Sequence, residues 1–130
     1  MAKTCTDASD WRFCAHSRLL VGENNDFHIF VCMDQRTVLN IAKQYKRAVI
    51  NAIGPAKVYL FGSYSKGCAR PDSDIDIAVV VPRVEGDYLS TAASLWRITM
   101  DVNTLIEPVL IEEVHPSPLY EDILQTGIVI

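Results

Sequence analysis

The chain contains no apolar run approaching the roughly 20 residues that a membrane-spanning helix needs, so no transmembrane segment is expected. It has no excess of positive charge either: 12 Lys and Arg stand against 16 Asp and Glu, for a formal charge of −4. A general nucleic-acid binder needs a basic face to neutralise phosphates, and that class is set aside. A nucleotide held by a few local contacts and a metal remains compatible with this balance. Paired cysteines are missing as well. Cys5, Cys14, Cys32 and Cys68 include no Cys-x-x-Cys pair, and Cys5, Cys14, His16 and Cys32 lack the spacing of a zinc site. No secretion signal is recognised, so free thiols in a reducing cytoplasm are expected. Internal repeats and low-complexity tracts are absent.

The chain does have the makings of one ordinary domain. A chain of 130 residues can bury about two-thirds of its unfolded surface, enough for a single core. Residues 1–32 show no sustained helical period, although Phe27, Ile29 and Val31 alternate as in a short strand. They read as an N-terminal extension, and the functional domain is expected over residues 33–130.

Within that domain the periods are clear. Val38, Ile41, Ala42, Tyr45, Val49 and Ala52 fall on one helical stripe, which predicts a helix from Gln35 to Ile53. Asp34 or Thr37 could cap its start, and Gly54-Pro55 ends it. Lys57 to Phe61 reads as a short strand, and Ile75 to Val81 as a central strand covered on both faces. Between them runs a polar connection with a short helical turn. A second helix is expected from Asp87 to Met100, with Leu89, Ala92, Ala93, Leu95, Trp96 and Met100 as its apolar set. Tyr45 and Trp96 are expected in the core. A third strand, Leu105 to Ile111, is interrupted by Pro108, which has no ladder donor. Ser117-Pro118 opens a last helix, Gly127 closes it, and Ile128 to Ile130 form a short extended tail.

The chemistry is concentrated around Asp74-Ile75-Asp76. Side chains alternate along a strand, so the two aspartates face one way while Ile75 and Ile77 enter the core. Two like charges about 4 Å apart repel by roughly 4 kcal/mol at an intermediate effective dielectric. A divalent cation would cancel that cost, and hard carboxylate oxygens suit Mg²⁺. Gly62-Ser63 stands just upstream. Gly62 lets backbone approach a phosphate closely, and Ser63 offers it a hydroxyl. Lys66 and Arg70 could reach the outer phosphates, and Ser73 is a turn former beside the aspartates. Glu107, on the third strand, offers another carboxylate for a second metal or for a proton.

Leu60-Phe61-Gly62-Ser63, the spacer Tyr64 to Ser73, and Asp74-Ile75-Asp76 resemble the signature of the nucleotidyltransferase superfamily that includes DNA polymerase beta. Lys66-Gly67, Ile106-Glu107-Pro108 and the ending Ile123-Leu124-Gln125-Thr126-Gly127-Ile128 extend the likeness to the small, minimal nucleotidyltransferases. The resemblance implies an α/β (α+β) fold, with a small mixed sheet of three to four strands and helices mainly on one face. It implies two Mg²⁺ ions and ATP as substrate. Asp74, Asp76 and Glu107 would be the catalytic metal ligands, with Glu107 either ligand or general base. Gly62, Ser63, Lys66, Arg70 and Ser73 would hold the triphosphate. Minimal members often act as type VII-like antitoxins that add AMP to a tyrosine of a HEPN-family toxin. That partner is the expectation here, with a homo-oligomer also possible. The alternatives are a small-molecule, aminoglycoside-type nucleotidyltransferase, or an antitoxin that acts by binding alone.

Overall fold

The computed structural model describes residues 34–67, 69 and 73–130. The N-terminal extension, the cysteines and Arg70 lie outside the described residues. Among those described, the elements run α1 (Gln35–Ile53), β1 (Lys57–Phe61), β2 (Ile75–Val81), α2 (Tyr88–Val102), β3 (Ile106–Glu112), α3 (Pro118–Thr126) and β4 (Ile128–Val129). No described helix is long and apolar enough to cross a membrane.

The boundaries follow local chemistry. Asp34 caps α1 by accepting from Thr37 N at 2.9 Å, and Gly54 ends it at φ +94°. Asp87 and Ser117 cap α2 and α3 in the same way. Pro118 occupies the first turn of α3, where its missing N–H costs nothing.

The sheet order is β3-β2-β1-β4. β1 is antiparallel to β2 and β4, whereas β2 and β3 run parallel through the α2 crossover. The mixed, open sheet matches the expected fold class, and the C-terminal tail supplies its fourth strand. Alternation divides the sheet into two faces. Val58, Leu60, Ile75, Ile77, Val79 and Val81 join α1 and α2 in the main core. Tyr59, Ala78, Val80 and Ile111 point the other way and pack with Ile123 of α3. β3 is an edge strand, which is why Pro108 is tolerated within it. Tyr88 donates its hydroxyl to Leu110 O at 2.8 Å and so occupies one carbonyl of that strand.

α1 buries Val38, Ala42, Tyr45 and Val49 as its stripe predicts, but Ala52 is exposed. Tyr45 is fully buried because its hydroxyl donates to Leu95 O at 2.9 Å. α2 departs further from expectation. Its core face is Leu95 and Thr99, with Ala92, Ile98 and Val102 packed beside them. Trp96 is 50% exposed, and Leu89 and Met100 are 74% and 73% exposed. The apolar arc of this helix is wider than one contact face, and only one edge of it meets the core.

Candidate active site

The site forms at the start of β2, on the face that carries α3. Asp76 shares that face with Ala78 and Val80, while Ile75 and Ile77 on either side are fully buried in the main core. The expected alternation therefore holds. In register, Asp76 lies between Phe61 of β1 and Glu107 of β3. Three adjacent strands thus bring one carboxylate, an aromatic ring and a second carboxylate side by side.

Two contacts define the Asp76 position. The first is Gly62, at φ +72°. A Cβ at Gly62 would collide with Asp76 Oδ2 and lie 3.1 Å from its Cγ. Glycine here allows both a left-handed backbone and the approach of a carboxylate. The second contact is Glu107, which hydrogen-bonds the Asp76 carboxyl. Burial, the charges of Glu107 and Asp74, and this hydrogen bond together push the Asp76 carboxyl up to about 6. Negative charge on Asp76 is thereby disfavoured, and a cation would offset that cost.

The loop after β1 is wound by two bonds to one carbonyl. Ser65 Oγ donates to Gly62 O at 3.0 Å, and Lys66 N donates to the same oxygen at 3.2 Å. This is the expected helical turn, and such a turn presents backbone N–H groups at its start. Tyr64 is 1% exposed and belongs to the main core, so it anchors the turn that carries Ser63. Ala69 packs against the same core farther along. Sequence reasoning left Tyr64 without a role. Its place directly after Gly62-Ser63, where an otherwise polar loop begins, was the available signal.

The other predicted residues are less tightly gathered. Asp74 precedes β2 and is exposed, and Ser73 is half-buried beside it. Glu107 is exposed but acts on Asp76. Lys66 reaches toward α3, with its ammonium 3.6 Å from Asp122 Oδ2. Both partners of that pair are more than 40% exposed, so its effect on stability is small. Asp122→Ala should change the unfolding free energy by less than about 0.5 kcal/mol, measured by urea denaturation.

The donor chemistry fits Mg²⁺. The available oxygens are carboxylates, and the Asp76 carboxyl is surrounded by negative charge. Among the described residues, no three acidic, His or Cys side chains converge closely enough to enclose a metal alone. That too is compatible with Mg²⁺, which is commonly bound through one or two carboxylates plus substrate phosphates rather than by a full protein cage. Asp76 with Asp74 or Glu107 would form the protein half of such a site.

A separate cleft of about 750 Å³ lies at the far end of β2, lined by Ile53, Val81, Arg83, Asp87 and Ser90 among others. Val81 is five residues along the strand from Asp76, roughly 17 Å away. The carboxylate cluster is not part of that cleft.

Comparison with known proteins bears on the family and the fold. No curated protein matches the chain. A solved structure of a candidate nucleotidyltransferase from Sulfolobus solfataricus superimposes with a TM-score of 0.55. It is 20% identical, and the match covers 73% of this chain and 80% of that one. At that identity the likeness speaks for the fold alone. The family model for polymerase beta nucleotidyltransferases matches residues 40–130, which include Gly62, Ser63, Asp74, Asp76 and Glu107. By that match, the chain belongs to the polymerase beta nucleotidyltransferase family.

Proposed function

We propose that the chain moves AMP from ATP, with Mg²⁺, to a hydroxyl acceptor, and that this acceptor is a tyrosine on a HEPN-family partner. The observation that carries this reading is the seating of Asp76 between the Gly62 backbone and the Glu107 carboxylate. A site for positive charge, or for a charge-neutralised triphosphate, accounts for Asp76 and Glu107 standing beside a glycine turn. The HEPN acceptor follows the likeness to minimal nucleotidyltransferases. The reading places the chain in the cytoplasm, where ATP and Mg²⁺ are both at hand.

Each residue then has a task. The Gly62-Ser63 turn receives the triphosphate with backbone N–H groups and the Ser63 hydroxyl. Lys66 exchanges Asp122 for a phosphate oxygen, and Ser73 flanks the same anion; Arg70 is expected to serve it too but lies outside the described residues. Asp74 and Asp76 would hold Mg²⁺, with Glu107 either a further ligand or the general base. Bound Mg²⁺ supplies charge neutralisation at the reacting phosphate and at the departing pyrophosphate. The acceptor oxygen bonds to the α-phosphorus as the bond from that phosphorus to the bridging oxygen breaks. Glu107, exposed and within reach of Asp76, can take the acceptor proton. Among the described residues, the nine-residue α3 packs on the face of β1 to β3 that carries Asp76.

The test uses the full chain, labelled ATP, Mg²⁺ and the HEPN protein encoded beside it. Mass spectrometry should find AMP added to a tyrosine of the partner, and chelation of Mg²⁺ should stop it. Transfer to aminoglycosides but not to the partner would move the acceptor to small molecules. Neutralisation of the partner without any transfer would sink the catalytic reading in favour of binding alone.

A further inference from the structure

α2 carries a second apolar stripe that faces away from the core. Taking Leu95 as the core direction, Ala92, Ile98, Thr99 and Val102 lie within about 60° of it at 100° per residue. Leu89, Ala93, Trp96 and Met100 lie on the opposite side, within about 60° of one another. All four are exposed, Leu89 and Met100 to about three-quarters and Trp96 to half. Their spacing of four, three and four residues is that of a coiled-coil seam. Ser90, Ser94, Arg97 and Asp101 form a separate polar strip along one flank. A single exposed apolar residue needs no explanation, but a continuous seam of this kind marks an interaction surface.

We propose that this seam pairs with the same seam of a second copy of the chain, as two antiparallel α2 helices related by a two-fold axis. The sizes of the side chains carry the choice of occupant. A two-fold axis through the midpoint of the stripe sets Ala93 of one copy against Trp96 of the other, and Leu89 against Met100. The smallest residue of the seam faces the largest, twice, and two long flexible side chains meet at each end. A surface patch that complements itself in this way is what an isologous dimer requires. The polar flank fits the same arrangement. It brings Arg97 of one copy opposite Ser90 and Ser94 of the other, so hydroxyls rather than a like charge meet the guanidinium.

The 15 residues of α2 span about 22 Å. Two such helices bury an area near or below the low end of specific interfaces. Self-association in the micromolar range follows, because area of this order leaves little surplus over the cost of association. The seam lies on the α1/α2 side of the sheet, whereas Asp76 faces the α3 side. Pairing therefore leaves the carboxylate cluster accessible in both copies, and the dimer does not depend on what the cluster catalyses.

Sedimentation equilibrium of the full chain, from about 1 to 300 μM, should show a monomer–dimer equilibrium. Met100→Glu, at an exposed position, should keep the native circular dichroism spectrum and weaken the dimer at least about 30-fold, as expected for a seam anchor. Ala93→Trp should weaken it comparably by setting two indoles against each other. The exchange Ala93→Trp with Trp96→Ala should restore it to within about threefold, because the size pairing is regenerated. A chain that stays monomeric at 300 μM overturns the proposal. So does a dimer indifferent to Met100→Glu, or a double exchange no better than Ala93→Trp alone.

Discussion

Asp76→Asn will raise the melting temperature of the metal-free chain at pH 7 and abolish nucleotidyl transfer. The folded Asp76 carboxyl titrates at about 6, above its ordinary value of 3.8. The folded state therefore binds a proton more tightly than the unfolded one. Stability from that group is fully present below about pH 4 and is lost as pH rises through 6. At pH 7 the charged carboxylate works against the fold, being partly desolvated and facing Glu107 and Asp74. At about 1.4 kcal/mol per pKa unit, the full conversion is about 3 kcal/mol. Solvent screening at this partly exposed group reduces it to about 1–2 kcal/mol. Asparagine keeps the shape and a hydrogen bond to Glu107 but drops the charge. Its melting temperature should exceed that of the native chain by roughly 5 °C at pH 7. The gap should close as pH falls toward 4. Millimolar Mg²⁺ should stabilise the native chain and not the variant. Transfer should fall by at least about a thousandfold, since the group that positions the charge at the reacting phosphate is gone. A variant less stable than the native chain at pH 7, or one that still transfers a nucleotide, would show that Asp76 is an ordinary strand residue. The pattern is that of a residue held against the interest of stability because function requires its charge.

Much of this site was legible in the sequence because its parts are local. Asp76, between two β-branched residues, must face away from them along a strand, and a β-branched run reads as a buried strand; Asp74 lies just before β2. Gly62-Ser63 directly after a strand must be a turn. Those statements need only periods of two and 3.6. The Asp76–Glu107 contact is of another kind. It requires β2 and β3 to be parallel, in the register that sets Asp76 beside Glu107, across some thirty intervening residues. Local patterning proposes Glu107 as a candidate and cannot supply the alignment. β4 shows the same limit. Ile128 and Val129 form a strand only because Leu60 and Tyr59 are there to pair with them.

The outer stripe of α2 was hidden for a different reason. Period alone identifies apolar positions on a helix but does not say how many faces they serve. Leu89, Trp96 and Met100 enlarge the apolar arc, and a single broad stripe suggests a deeply buried helix. The sheet offers contact to only one edge of that arc, where Leu95 and Thr99 sit. Burial depends on what the rest of the chain can reach, so the second stripe appears only when the layers are assembled.

Gly62→Ala should lower transfer at least about a hundredfold, with a stability loss of about 1–3 kcal/mol. Two costs combine. The backbone at φ +72° disfavours any residue with a Cβ by about 1 kcal/mol. The added methyl also enters the space of the Asp76 carboxylate, which must rotate away from Gly62 or force β1 and β2 apart. Either response displaces the charge from the Gly62 turn, and a displacement of about 1 Å at a reacting centre can cost a hundredfold in rate. Gly54→Ala separates the two costs. Gly54 also has a positive φ, +94°, but a Cβ there meets nothing within 4 Å. That variant should lose about 1 kcal/mol of stability by urea denaturation and keep its transfer rate. If Gly62→Ala behaved like Gly54→Ala, with rate preserved and only backbone strain to show, the close approach of Gly62 to Asp76 would be packing without catalytic consequence. The contrast thus isolates the Gly62 contact of Asp76 from backbone strain, independent of which hydroxyl finally receives the nucleotide.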